Sequence, residues 1–126
     1  MLTGMQKAEE INNTTELLPR NIRQTPTIAS GYSNYQYKTY YYKIGTRVVL
    51  SVGIHKNDNT PISGVYLFTL PEGYRPSNTI YAPFFNDALN SVAPVGMFSD
   101  GRFYVYSSSD KGVFGNIEFD AFEATT

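Results

Sequence analysis

From Thr25 onward the chain repeats with a period of two, and short polar or glycine-bearing segments interrupt that period every several residues. In Arg47-Val48-Val49-Leu50-Ser51-Val52-Gly53-Ile54-His55, the apolar Val48, Leu50, Val52 and Ile54 fall on one side, with Arg47, Ser51 and His55 on the other. Successive side chains of an extended chain point to opposite faces, so this pattern is a half-buried strand. Further on, Val113, Ile117, Phe119 and Ala121 share a face, with Asn116, Glu118 and Asp120 opposite. Asp100-Gly101 tolerates the positive φ of a tight hairpin turn. Lys56-Asn57-Asp58-Asn59-Thr60-Pro61 and Ser107-Ser108-Ser109-Asp110-Lys111-Gly112 are polar turns, each expected to close a further hairpin. Strands are predicted near 27–31, 35–44, 47–55, 63–70, 79–84, 92–99, 102–106 and 113–122. Many short strands with almost no helix predict an all-β fold, an antiparallel β-sandwich or jelly roll. Pro83 and Pro94 fall inside the fifth and sixth strands, which places those strands at edges or gives them bulges.

The first residues have another texture. Residues 1–24 hold no aromatic side chain, and Leu2, Met5, Ala8 and Ile11 recur at threefold spacing behind a capping-box sequence starting at Thr3. A lone helix of about three turns is marginal in water, so this stripe needs a partner, either the β domain or identical helices. The expected organisation is a helical or linker stalk segment over 1–24 and a β-sandwich head over 25–126.

At 126 residues the chain makes one domain. Ten Lys plus Arg against eleven Asp plus Glu give a net charge of −1, which supplies no basic field for nucleic acid. No run of eighteen apolar residues and no charged-then-apolar leader occurs, so neither membrane insertion nor secretion by a leader is expected. Without cysteine there are no disulfides, thiolate metal sites or cysteine nucleophiles.

Chemistry finds little purchase. No phosphate-binding glycine loop is present. Ser51 and His55 share a strand face, yet residues four apart on a strand stand about 13 Å from each other, so His55 is expected to be a strand-end surface residue. Glu118 and Asp120 lie about 6.6 Å apart along theirs; this is a spacing glycosidases use, but also the pattern of an ordinary solvent-facing strand. Asp58 between two asparagines supplies too few oxygens for a calcium cage. Catalytic residues, metal ligands and cofactors are all expected to be absent.

Eleven tyrosines and eight phenylalanines are the compositional excess. On a single strand over 35–44, Tyr35, Tyr37 and Tyr41 would share one face, and Tyr40 and Tyr42 the other. Tyrosine joins a flat apolar body to a hydroxyl that seeks a partner. Such faces suit a sandwich core and its rim, a subunit seam, or a sugar whose C–H face stacks on a ring. Leu70-Pro71-Glu72-Gly73-Tyr74-Arg75-Pro76 reads as a rigid corner, with Tyr74 free to pack and Arg75 to pair with a carboxylate.

That corner, followed by a strand, the Asp100-Gly101 hairpin, the aromatic strand 102–106 and the closing Gly115-Asn116-Ile117-Glu118-Phe119, resembles the C-terminal domains of bacteriophage tail-fibre and baseplate proteins. Leu2-Thr3-Gly4-Met5-Gln6-Lys7-Ala8 resembles the segment that often precedes such heads. The resemblance implies a homotrimer in the virion, joined to the rest of a tail fibre or baseplate. Its head would adhere without catalysis to a host cell-surface saccharide or protein, exposed to the medium. Three weak sites acting together would supply avidity. Asp100, Arg102, Tyr104 and Tyr106 are the candidate ligand contacts, because the last three share a strand face beside the Asp100 turn. Rival readings are a trimerisation or attachment domain without its own receptor site, a glycan-degrading domain using Glu118 or Asp120, and a jelly-roll trimer of the complement or cytokine type.

Overall fold

The structure, a computed structural model, describes residues 23–121. The helix expected over 2–11 therefore lies outside the described residues; Gln24, at the end of the expected stalk segment, bridges antiparallel to Tyr41 of the sheet. Eight strands follow one another: β1 (Tyr32–Asn34), β2 (Tyr40–Ile44), β3 (Arg47–Lys56), β4 (Ile62–Thr69), β5 (Ile80–Phe85), β6 (Val92–Met97), β7 (Arg102–Ser108) and β8 (Gly112–Asp120). All pairings are antiparallel, in the order β1-β3-β8-β5-β6-β7-β4, with β2 also on β3. Between β8 and β5 the ladder narrows to the single pair Phe85↔Phe114. The sheet bends at that corner into a barrel-like sandwich, β1, β2, β3 and β8 on one side and β5, β6, β7 and β4 on the other.

The alternation in β3 and β8 is what closes it. Val48, Leu50, Val52 and Ile54 are at most 2% exposed, and in register they face Phe119, Ile117, Gly115 and Val113 of β8. Opposite them lie Leu67, Phe84, Val95, Met97, Phe103 and Val105, all buried. Phe103 stacks on Phe68 with ring centroids 4.7 Å apart. Pro83 and Pro94 face each other across β5 and β6, beyond the residues at which either strand meets its other neighbour. β5 and β6 are thus not edge strands as expected, being flanked by β8 and β7, but both prolines sit where no ladder hydrogen bond is required of them.

Several expectations change. Residues 27–31 are not a strand; they run beside β4, joined to it by the Ala29 N–H bonding to Leu67 O at 2.9 Å. Nor is 35–44 one strand. The Asn34 amide binds the Thr39 backbone at both ends, through Thr39 N–H to Oδ1 at 2.8 Å and Nδ2 to Thr39 O at 3.0 Å. That clamp folds 35–37 into a 3₁₀ turn with φ of 50° at Gln36 and 58° at Tyr37. Tyr35, Tyr37 and Tyr41 therefore do not share a face. Tyr41 enters the core, while Tyr40 and Tyr42 stack outside it at 6.2 Å.

The turns at 56–61 and 107–112 exist but close no hairpin. Each carries the chain from one side of the sandwich to the other, since β3 pairs with β8, and β4 with β7. The two crossovers bind each other instead, Lys56 N–H to Lys111 O at 2.8 Å and Ile62 N–H to Asp110 O at 3.2 Å. The Asp110 side chain then reaches the β5–β6 loop. Its Oδ1 accepts from Asp87 N–H at 2.7 Å and Gly112 N–H at 3.0 Å, and its Oδ2 from Ala88 N–H at 3.0 Å.

Burial pushes the Asp110 carboxyl up, but these three backbone donors outweigh it and hold the group below its ordinary 3.8. A carboxylate with a depressed folded pKa stabilises the fold fully above its unfolded value. That contribution is lost as pH falls through the lower folded one. Asp110→Ala is expected to cost about 2 kcal/mol at pH 7. In urea titrations the gap to wild type should shrink as pH drops below about 4; a gap constant down to pH 2 would contradict the account.

Candidate functional site

The outward residues of β7 are Arg102, Tyr104 and Tyr106, as the alternation predicts. Around them the fold assembles rings from three other segments. Tyr66 of β4 pairs in register with Tyr104, and their rings lie 4.6 Å apart. Phe98 bonds across the Asp100-Gly101 hairpin to Arg102 O at 2.9 Å and approaches Tyr66 at 6.0 Å. Tyr104 meets Tyr106 edge-on at 4.7 Å, and Tyr81 of β5 lies 6.3 Å from Tyr106. Gly96 of β6 leaves the room these rings need, because a Cβ there would stand 2.8 Å from the Phe98 ring.

Arg102 joins the polar end of this platform to its aromatic body. Its Nε donates to Asp100 Oδ2 at 2.7 Å, while its guanidinium lies 4.4 Å over the Tyr66 ring. The Arg102 backbone N–H, and after it the guanidinium, hold the Asp100 carboxyl below its usual range. At the other end, desolvation and then the neighbouring Tyr81 push the Tyr106 hydroxyl up. All four sequence candidates are thus brought together. Tyr66, Phe98 and Tyr81 were missed, although Phe98 flanks the Asp-Gly turn directly opposite Arg102 and that symmetry was readable.

The platform continues over β5 and β6 as a purely apolar strip. Tyr81, Phe85 and Val92 are 69%, 46% and 54% exposed, and Pro83 and Pro94 lie between them. A shallow cavity of about 290 Å³ opens there between Tyr81, Pro83, Pro94 and Tyr106.

The other sequence candidates take different roles. Glu118 and Asp120 both face Arg47, at 3.5 and 3.6 Å, as exposed ion pairs on the outside of β8. Ser51 donates to Lys38 O at 2.7 Å, away from His55. His55 is no free surface residue: its Nε2 lies 2.7 Å from Asp87 Oδ1, and its ring stacks on Tyr35 at 4.1 Å. Asp58 accepts from the Thr60 hydroxyl and N–H, at 2.6 and 3.0 Å. The corner 70–76 is scaffold, with Lys43 Nζ donating to Gly73 O at 2.7 Å and Tyr74 packed edge-on to Tyr41. Among the described residues Arg75 forms no ion pair, though its charge helps to lower the Asp100 carboxyl; its Nε donates to Leu70 O at 2.8 Å. Among the described residues no cluster of acidic and histidine side chains could hold a metal ion, and no helix is long and apolar enough to cross a membrane.

Antiparallel strands, a barrel-like sandwich and an aromatic outer face define an all-β domain. Among the solved structures that share its fold are two from phages. One is the receptor-binding protein (gp15) of Listeria phage PSA, 16% identical, matching 98% of this chain and 82% of that one with a TM-score of 0.55. The other is the head domain of lactococcal phage bIL170, described with the receptor-binding domains of lactococcal phages. It is 14% identical, with a TM-score of 0.55, over 79% of this chain and 97% of that one. What is shared at these identities is the fold, and it is the fold to which the corner and hairpin motifs pointed. No model of a known protein family and no curated protein sequence matches the chain.

Proposed function

We propose that the chain is the receptor-binding head of a phage or prophage tail fibre or baseplate, exposed at the distal end of the virion tail. It acts by adhesion, not catalysis, as a homotrimer with 1–24 as stalk segment and 25–126 as head. The observation that carries this reading is the exposed aromatic platform on β7, presented by a fold shared with phage receptor-binding heads. Ring faces stack on sugar C–H faces, and the Asp100–Arg102 pair offers an acceptor and donors for hydroxyls. A host surface saccharide is the ligand this combination suits. The apolar strip on β5 and β6 suits a second copy of the chain, since desolvated apolar and aromatic surface forms the centre of a subunit seam.

The test is host-cell adsorption by Arg102→Ala/Tyr104→Ala. The variant should keep the mass of a trimer, three times 14.1 kDa, and lose adsorption by at least about tenfold. Unchanged adsorption by a folded trimer would refute the site. The second reading, a trimerisation domain without its own receptor site, is favoured by the same apolar strip. It predicts that the isolated domain forms trimers and does not bind host cells at all.

A further inference from the structure

A second concave surface lies on the outer face of the opposite side of the sandwich. Its floor is the cross-strand row Tyr40, Ser51 and Asn116, from β2, β3 and β8. One wall is the clamped turn 34–39 and the other is the β5–β6 loop at Leu89, with an open groove of about 500 Å³ between them. That lies within the size range of small-ligand pockets.

Both walls are held in unfavourable backbone conformations. Gln36, Tyr37 and Leu89 are three of the four non-glycine residues at positive φ among the described residues, and all three line this groove. Such conformations persist only where surrounding bonds over-determine them, and they cluster at functional sites. The bonds are present. Thr39 is fully buried, and its hydroxyl both donates to Gly53 O and accepts from Gly53 N–H, each at 2.9 Å. Opposite, the buried Asn86 side chain donates to Asn90 Oδ1 at 2.8 Å and Ser109 Oγ at 2.9 Å, and accepts the Asn90 and Ser91 N–H groups. His55 ties the walls together, stacked on Tyr35 of one and bonded to Asp87 of the other.

The charge of the groove is one-sided. Arg23 and Lys38 line it and, among the described residues, no carboxylate does. Among the described residues neither is in an ion pair; Arg23 lies 4.4 Å over the Tyr40 ring. Two cations without an ion pair, beside the exposed Tyr37 ring, the half-buried Tyr40 and Phe114 rings and the Asn116 and Gln36 amides, suit a ligand with an anionic group, hydroxyls and an apolar ring face.

We propose that this groove is a second ligand site, for a sugar that carries a carboxylate or phosphate group. It stands on the geometry of the groove and does not depend on the β7 platform. The test is amide NMR of the full chain titrated with glucuronate, glucose 1-phosphate and neutral glucose. At least one of the acids should shift the amides of 36–40, 51–52 and 114–116 saturably. Its midpoint should lie at least about tenfold below that of glucose, the value of one hydrogen bond to a charged group. Which acid does so identifies the anionic group.

Arg23→Ala/Lys38→Ala should raise that midpoint at least tenfold, whereas Lys38→Arg should hold it within about twofold. Alanine at 38 keeps the Cβ that lies over Gly53, so the wall survives the change. The proposal is overturned if neither acid shifts these amides, if glucose titrates them equally well, or if the double variant binds like wild type. Tyr104→Ala should leave the groove midpoint unchanged, so this proposal and the platform reading fail separately.

Discussion

Gly101→Ala is expected to cost about 2–5 kcal/mol, from backbone strain of about 1–2 kcal/mol added to overpacking of about 1–3 kcal/mol. Gly101 is buried and has φ of 92°, a region an L side chain rarely enters. Space is the second obstacle. A Cβ there would overlap Leu70 O and stand 2.6 Å from Arg75 Nε. Neither can retreat, because Gly101 O accepts the Leu70 N–H at 2.8 Å while Leu70 O accepts from Arg75 Nε at 2.8 Å. At fixed protein concentration the melting temperature of a domain this size should fall by about 8–25 °C. A shift of only a few degrees would mean that the corner gives way more easily than its bonds imply. Since Asp100 and Arg102 flank this glycine, the same substitution should also disorder the polar end of the platform.

The Leu70–Pro76 corner and the Asp100-Gly101 turn were both legible in the sequence, but as separate features. Their contact was not. Turn chemistry is local, because it depends on which residues accept a given φ, and so the breaks at 56–61, 100–101 and 107–112 could be read from single residues. Pairing is not local. Period-two alternation shows which side chains of β3 face inward without showing that the partner is β8 and not β4. For that reason two crossovers were read as hairpins. The failure at 35–44 has another cause: tyrosine has high strand propensity, yet the Asn34 clamp on Thr39 outweighs it. On β7 the alternation alone placed Arg102, Tyr104 and Tyr106 together. The groove walled by 34–39 and 86–91 gave no sequence signal, because its strained residues are Gln, Tyr and Leu rather than glycine.

Alanine in place of Phe84 should cost about 3–5 kcal/mol, and the reason lies in how narrowly the sandwich is joined. Only Phe85↔Phe114 links β5 to β8 by ladder pairing, so side-chain packing must hold the corner. Phe84, 1% exposed, supplies it: its ring lies against the Gly115 backbone and 5.7 Å from Phe103. A Cβ at Gly115 would stand 2.6 Å from the Phe84 ring, near the root of that side chain where it cannot swing aside. Gly115→Ala should therefore destabilise wild type by about 1–3 kcal/mol through overpacking. In the Phe84→Ala background the same methyl enters the space the ring has left, and its effect should fall to near zero or reverse. Urea unfolding of the four proteins at one concentration measures this as a coupling of about 1–3 kcal/mol. Additivity within about 0.5 kcal/mol would show that the ring does not rest on Gly115, and the corner would then need another explanation.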